Sequence, residues 1–198
     1  MDTKERRNLD KYKKKKYIIC LIQLSWMGDV MGFIDFILYP LVYIIFMPIL
    51  TLIHELGHAI PALIFSKENV TVNIGNSNLN KQIKLNRLLI NLNGYKSVVD
   101  VSYGYVNWSQ VNNKIKSIWI ILGGPLTTLI VSILMYTCLV NVSLPFILML
   151  VFNALFIFSA FQFLLTILPI KYFYNPYVGH TSDGYKILQQ FKKENTNI

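Results

Sequence analysis

Three ionisable residues lie within five positions of one another in an apolar part of the chain. His54, Glu55 and His58 form the pattern His-Glu-x-x-His inside a stretch that predicts a helix. Successive helical residues turn by about 100°, so the two histidines lie one turn apart on the same face. Two imidazoles at this spacing can bind one zinc ion, and the neighbouring Glu55 carboxylate can take a proton from water. The pattern therefore predicts hydrolytic zinc chemistry.

The surroundings of this pattern strengthen the prediction. A lone acidic side chain at the centre of a lipid-spanning helix costs about 2.5–3.5 kcal/mol, so three ionisable groups there need compensation. A bound metal ion would neutralise them and satisfy their lone pairs. The alternative interpretation is a buried polar cluster that holds helices together by hydrogen bonds.

A zinc site of this kind needs a third protein ligand and an open position for water. The remaining candidates are few, namely Glu68, Asp100, His180 and Asp183. Asp183 lies in the fragment Ser182-Asp183-Gly184 just before a predicted helix, which is equally typical of a helix N-cap. From the residues alone, the choice of third ligand stays open.

The composition indicates a membrane protein. Apolar residues make up 54% of the 198 residues and charged residues only 15%, whereas soluble domains have about 25% charged residues. Residues 17–66 and 117–170 contain no Lys or Arg, and each is long enough to cross a bilayer twice. We expect a mainly α, polytopic membrane protein with about four transmembrane helices, at residues 17–35, 36–66, 117–140 and 144–170.

The basic residues are confined to three parts of the chain. All 19 Lys and Arg lie in residues 1–16, 67–116 and 171–198, and they produce a net charge of +9. Basic loops beside membrane spans stay cytoplasmic, so four crossings would put every one of them on the inner side of the cell membrane. We interpret residues 1–16 as a basic cytoplasmic tail and residues 17–198 as one membrane domain. No separate basic domain is present to bind nucleic acid.

The loop between the second and third predicted spans has the pattern of β-strands. Apolar and polar residues alternate in three runs, at residues 70–74, 88–92 and 99–105. Asn93-Gly94 between the last two runs is a hairpin signal. We therefore expect a small antiparallel sheet within the β-rich loop 67–116. Such a sheet could hold an unwound substrate segment by strand addition.

Taken in order, the motifs resemble those of the site-2 protease family of intramembrane zinc metalloproteases. That family combines a His-Glu-x-x-His helix, a Gly-Pro motif in an intervening span, and an Asp-Gly motif that follows a Leu-Pro. In this chain the Gly-Pro motif is Gly124-Pro125, the Leu-Pro is Leu168-Pro169 and the Asp-Gly motif is Asp183-Gly184. The resemblance covers about residues 36–192. It implies that Asp183 is the third zinc ligand and Glu55 the general base. It also implies hydrolysis of peptide bonds in a membrane-associated protein or peptide precursor.

The chain departs from the family pattern in two respects. The family usually has asparagines that contact the substrate backbone or the developing oxyanion, where this chain has Thr128 and Thr166. A threonine hydroxyl can still donate one hydrogen bond, so both residues are candidates for that role. The insert Lys171–Thr181 also makes the spacing from Pro169 to Asp183 longer than usual.

A second function class remains possible at the level of sequence. The chain could be a non-catalytic, metal-binding membrane accessory of a peptide export or maturation system. Glu55 argues against this, because metal storage needs no base beside its two ligands. The expected partners are a membrane-associated substrate and the lipid bilayer, and the sequence indicates neither the substrate's identity nor an oligomeric state.

Overall fold

The computed structural model describes residues 33–75, 79–93, 103–173 and 178–192. All site residues discussed below belong to the compact unit at residues 42–198. The described helices are α1 (Phe33–Phe65), α2 (Lys114–Asn141), α3 (Phe146–Ile167) and α4 (Asp183–Lys192). The described strands are β1 (Val70–Ile74), β2 (Leu79–Leu85), β3 (Leu88–Asn93) and β4 (Gly104–Asn107).

Within the described ranges, α1, α2 and α3 are long and apolar enough to cross a membrane. Even α3, with 22 residues, is about 33 Å long, which matches the hydrocarbon core of a bilayer. Large apolar side chains such as Ile64, Ile133 and Ile147 are more than half exposed, as expected for contact with lipid. The helices predicted at 36–66, 117–140 and 144–170 are confirmed. The one predicted at 17–35 lies outside the described residues, except for its last three, which belong to α1.

The described strands form a mixed sheet in the order β2-β3-β1-β4. Strand β1 runs parallel to β3 and antiparallel to β4, while β2 and β3 are antiparallel. The prediction of a purely antiparallel sheet was therefore wrong. The physical reason is burial: Val70 and Val72 are fully buried, so β1 takes a central position with a neighbour on each side.

The predicted hairpin at Asn93-Gly94 would pair the run at 88–92 with the run at 99–105, but the described part of that later run does not pair with β3. The neighbours of β3 are β2 and β1, and β4 pairs with β1 instead. The hairpin connects β2 to β3 through Asn86 and Arg87, where Asn86 has a φ of 54°. Strand β2 was not predicted, because its lysines and amides resemble a solvated loop. Residues 94–102, which include Gly94 and part of the third predicted run, lie outside the described residues.

One face of the sheet packs on the C-terminal half of α1. Ala59 and Ala62 of the helix are fully buried in a cluster with Val70, Val72 and Ile90 of the sheet. The small alanine side chains allow the strands to approach the helix closely. The sheet is thereby held against the helix that carries the His-Glu-x-x-His pattern.

Arg87, in the β2–β3 turn, strengthens this attachment. Its guanidinium donates hydrogen bonds to the carbonyl oxygens of Leu63, at 2.6 Å, and Ser66, at 2.9 Å. Carbonyls at a helix C-terminus lack helical partners, and a cation there is favourable. The turn is therefore anchored to the end of α1.

Candidate metal centre

The two histidines of the sequence pattern face each other across one turn of α1. Their Nε2 atoms are 3.2 Å apart, and both side chains are buried. This arrangement follows from local helix geometry alone, because residues four apart lie on the same face. The prediction of two converging imidazoles is confirmed.

Asp183 completes a triangle with the two imidazoles. Its Oδ2 atom lies 3.4 Å from Nε2 of His54 and 3.2 Å from Nε2 of His58. Tetrahedral ligands at about 2.0–2.1 Å from zinc lie about 3.3–3.4 Å from one another. The three edges of the triangle match that spacing, so these atoms could hold one metal ion.

The other described residues considered as third ligands do not join this triangle. Within the described residues, the group that could hold a metal consists of His54, His58 and Asp183. His180 lines the same cavity without joining that group, and Glu68 is exposed on the surface. Asp100 lies outside the described residues.

The hydrogen bonding of His58 favours a cation at the centre of the triangle. Its Nδ1 atom lies 2.8 Å from the Ile120 carbonyl oxygen, so Nδ1–H donates there and Nε2 keeps a lone pair. The Gly124 N–H also approaches Nδ1, at 3.3 Å, but the shorter contact with a carbonyl decides the tautomer. The Nε2 atom of a neutral His58 is then a second acceptor that faces the Asp183 carboxylate. A metal ion satisfies both groups at once.

Gly124 leaves the space that the His58 ring occupies. A Cβ atom on Gly124 would lie 2.6 Å from Cε1 and 2.7 Å from Cδ2 of the imidazole. Any larger residue would displace the ring. The Gly-Pro motif of α2 therefore positions a candidate ligand of α1, in addition to allowing close helix packing.

Asp183 reaches the histidines through a hairpin that follows α3. Lys171 pairs with Thr181, and the Tyr172 N–H donates to the His180 carbonyl oxygen at 3.0 Å. The Ser182 N–H likewise donates to the Ile170 carbonyl oxygen at 3.0 Å. The hairpin returns the chain to the end of α3, and residues 174–177 lie outside the described residues.

Ser182 fixes the point at which the chain returns. It is almost fully buried, and its Oγ donates to the Leu168 carbonyl oxygen at 2.5 Å. The same atom accepts hydrogen bonds from the N–H groups of Ile170, at 3.1 Å, and Tyr185, at 3.2 Å. The bond from Tyr185 is an N-cap interaction, so Ser182 caps α4. The alternative in which Asp183 is only a helix cap is therefore not what the structure shows.

The first turn of α4 lies directly against the end of α3. A Cβ atom on Gly184 would lie 2.6 Å from the Ile167 carbonyl carbon and 3.2 Å from that of Leu168. Only glycine fits this approach of two backbones. The Asp-Gly motif thus combines a candidate ligand with the residue that lets its helix dock.

The second oxygen of Asp183 has its own partner. Oδ1 lies 3.0 Å from Nζ of Lys186, one turn further along α4. Burial raises the pKa of the Asp183 carboxyl, but in the metal-free site a protonated His58, hydrogen bonds from the imidazoles and Lys186 together hold it well below its usual range. The carboxylate is therefore ionised at neutral pH, which is the form that binds a metal.

A cavity of about 320 Å³ opens beside the triangle. It is lined by α1, α3, β4 with its flanking residues, and the hairpin that leads to α4. Glu55 lines it and is 7% exposed. A Cβ atom on Gly104 would lie 2.8 Å from Cγ and 2.9 Å from Oε1 of Glu55, so β4 passes directly beside this carboxylate.

Tyr103, just before β4, is a further lining residue that sequence reasoning missed. Its ring lies 6.1 Å from the ring of His180 and 5.5 Å from that of Tyr105. Burial, Tyr105 and Glu55 raise the pKa of the Tyr103 phenol, which therefore keeps its proton at neutral pH. The alternation of residues 99–105 predicted a strand here, but gave no sign of its closeness to Glu55.

The two threonines at the family's asparagine positions are placed differently. Thr166 lines the cavity, and its hydroxyl donates to the Gln162 carbonyl oxygen at 2.9 Å. Thr128 is buried within α2, where its hydroxyl donates to the Pro125 carbonyl oxygen at 2.9 Å, and it is not among the lining residues. Both hydroxyls therefore donate within their own helices. Their predicted contact with substrate stays a prediction.

Comparison with known proteins found no protein-family model that matches the chain and no curated protein that matches it.

Proposed function

We propose that this protein is a zinc metalloendopeptidase of the site-2 protease type, embedded as a multi-pass protein in the cell membrane. The observation that carries the proposal is the triangle of His54, His58 and Asp183 with Glu55 beside it in an accessible cavity. Two imidazoles, one carboxylate and a neighbouring second carboxylate form the donor set of a hydrolytic zinc site. The motif resemblance supports the same assignment.

The residues have distinct roles in this proposal. His54, His58 and Asp183 would hold the zinc ion through Nε2, Nε2 and Oδ2. Zinc, when bound, would lower the pKa of a coordinated water towards about 7 and polarise the scissile carbonyl. The Glu55 carboxylate accepts a proton from the attacking water and returns it to the leaving nitrogen as the C–N bond breaks. The products are a free carboxylate and a free amine.

Strand β4 is the element best suited to hold the substrate backbone. It is an edge of the sheet formed by the described strands, and Gly104 brings it beside Glu55. An extended peptide could add to this edge by main-chain hydrogen bonds. A helical substrate would have to unwind first, because helical N–H and C=O groups are already paired.

The arrangement in the membrane follows from the charges. Helices α2 and α3 are joined by a short connection and cross in opposite directions, so the sheet and α4 share one side. The basic segments 67–116 and 171–198 belong to that side, which the positive-inside rule makes cytoplasmic. His58 and His54 precede Ser66 by eight and twelve residues, so the zinc site would lie about 12–18 Å deep.

The substitution Glu55→Gln tests the proposal. It removes the proton acceptor and preserves the shape of the side chain, so turnover should fall about 10²–10⁴-fold while one zinc per chain is retained. The assay uses the purified full chain in lipid vesicles with fluorogenic casein and a pool of single-span transmembrane peptides, with the products read by mass spectrometry. Glu68→Gln makes the same change at an exposed site and should have no effect.

Two outcomes would overturn the proposal. Cleavage by Glu55→Gln at the wild-type rate would show that Glu55 is not the base. A zinc-loaded wild-type chain that cleaves none of these probes would favour the metal-binding accessory instead.

A further inference from the structure

One face of α3 forms a continuous wall of the cavity. The residues of α3 that line it are Phe158, Phe161, Gln162, Leu165 and Thr166. Their spacing of three and four residues places them in a single stripe along the helix. Gln162 lies at the centre of this stripe, so its polar carboxamide is flanked by apolar and aromatic residues.

The Gln162 side chain has an unsatisfied acceptor. Its Oε1 atom is buried and, within the described residues, has no hydrogen-bond partner. By contrast, the Thr166 hydroxyl one turn away donates to the backbone carbonyl of Gln162 itself. Buried polar atoms in native proteins almost always have partners. Rotation of the carboxamide would turn this acceptor towards the cavity that Gln162 lines, so the missing partner indicates a donor that arrives with a ligand.

The chemistry of that donor follows from the proposed function, on which this inference rests. An extended peptide offers a backbone N–H whatever its side chains are, and a carboxamide can accept from it and donate to a neighbouring carbonyl. The aromatic neighbours Phe158 and Phe161 suit contact with substrate side chains. We propose that Gln162 binds the substrate backbone, with Oε1 accepting a hydrogen bond from a peptide N–H near the scissile bond.

The test compares two ligands of the zinc-loaded full chain that differ only in peptide content. Acetohydroxamate can bind the metal without offering a peptide backbone, whereas a dipeptidyl hydroxamate offers both. Gln162→Met, which keeps the length of the side chain, should weaken the dipeptidyl hydroxamate about tenfold and leave acetohydroxamate unchanged. Gln189→Met makes the identical change at an exposed position of α4 outside the cavity and should alter neither affinity.

A second measurement uses the unsubstituted chain. Methylating single backbone nitrogens of the dipeptidyl hydroxamate removes one N–H at a time, and one of these ligands should bind the wild type about tenfold more weakly. The same ligand should lose nothing further on Gln162→Met, because the two changes remove the same hydrogen bond.

Equal binding of the parent ligand by wild type and Gln162→Met would overturn the inference and leave the proposed function standing. So would N-methyl ligands that all bind the wild type as well as the parent does. Failure of both hydroxamates to bind the zinc-loaded wild type would instead contradict the open metal position of the proposed function, and the Gln162 inference with it.

Discussion

The two sides of the candidate metal site are built in different ways. His54 and His58 lie on one helix, and their separation is set by the helical repeat, so α1 alone brings them together. Asp183 is 125 residues away from His58 and depends on a hairpin, a buried serine and a glycine contact to arrive. A site that is half local and half long-range should lose its long-range half first when it is perturbed.

The largest effect is expected from Asp183→Ala. Loss of this ligand should lower zinc affinity by more than about 100-fold, since even residues that only orient ligands contribute about 10–100-fold. Helix α1 should remain intact, because its histidines are placed locally. Zinc affinity by competition with a chelator, together with hydrogen exchange across residues 178–192, measures both parts of the expectation.

Glu68→Ala and His180→Ala are the controls for this variant. Glu68 is exposed, and His180 lines the cavity without reaching the triangle, so neither should change zinc affinity. Full affinity in Asp183→Ala with loss in His180→Ala would assign the third ligand to the hairpin instead.

An intermediate effect is expected from Ser182→Ala. The substitution removes the N-cap and leaves the N–H groups of Ile170 and Tyr185 and the carbonyl of Leu168 without their shared partner. Zinc affinity should fall about tenfold, and protection of α4 from hydrogen exchange should decrease. Ser143→Ala, in the exposed connection between α2 and α3, is the matched control. An unchanged affinity in Ser182→Ala would mean that Asp183 docks without help from α3.

The smallest effect is expected from Lys186→Met. The Lys186 side chain is 46% exposed, and ion pairs of this kind contribute about 0.2–1 kcal/mol, which corresponds to a change in zinc affinity of less than about fivefold. Lys192→Met, at the exposed end of the same helix, should change nothing. A loss as large as that of Ser182→Ala would give Lys186 a larger role in orienting the carboxylate than its exposure suggests.

The sequence predicted the parts of the molecule that depend on local periodicity. The three described spans follow from apolar length, and the paired imidazoles follow from a four-residue spacing. Strand order did not follow, because it depends on the burial of Val70 and Val72 against α1 rather than on neighbouring turns. The prediction of Asp183 as a ligand came from ordered motifs, since nothing local to it points to histidines so far away.

Other site residues were missed because their roles depend on tertiary contacts. The role of Gly104 depends on the position of β4 beside Glu55. The role of Gln162 depends on α3 forming the wall of the cavity. The capping role of Ser182 is predictable from the sequence, because a serine directly before a short helix is a capping signal. Its hydrogen bonds to the end of α3 are not predictable in this way.

The number of imidazoles on bound zinc tests the account most directly. The chain has three histidines, and the account assigns two of them to the metal. Zinc-edge X-ray absorption of the loaded, full-length protein should show two imidazole ligands, with oxygen completing the shell at about 2.0–2.2 Å. A shell with three imidazoles would make His180 a ligand in place of Asp183, and one with fewer than two would contradict the metal centre altogether.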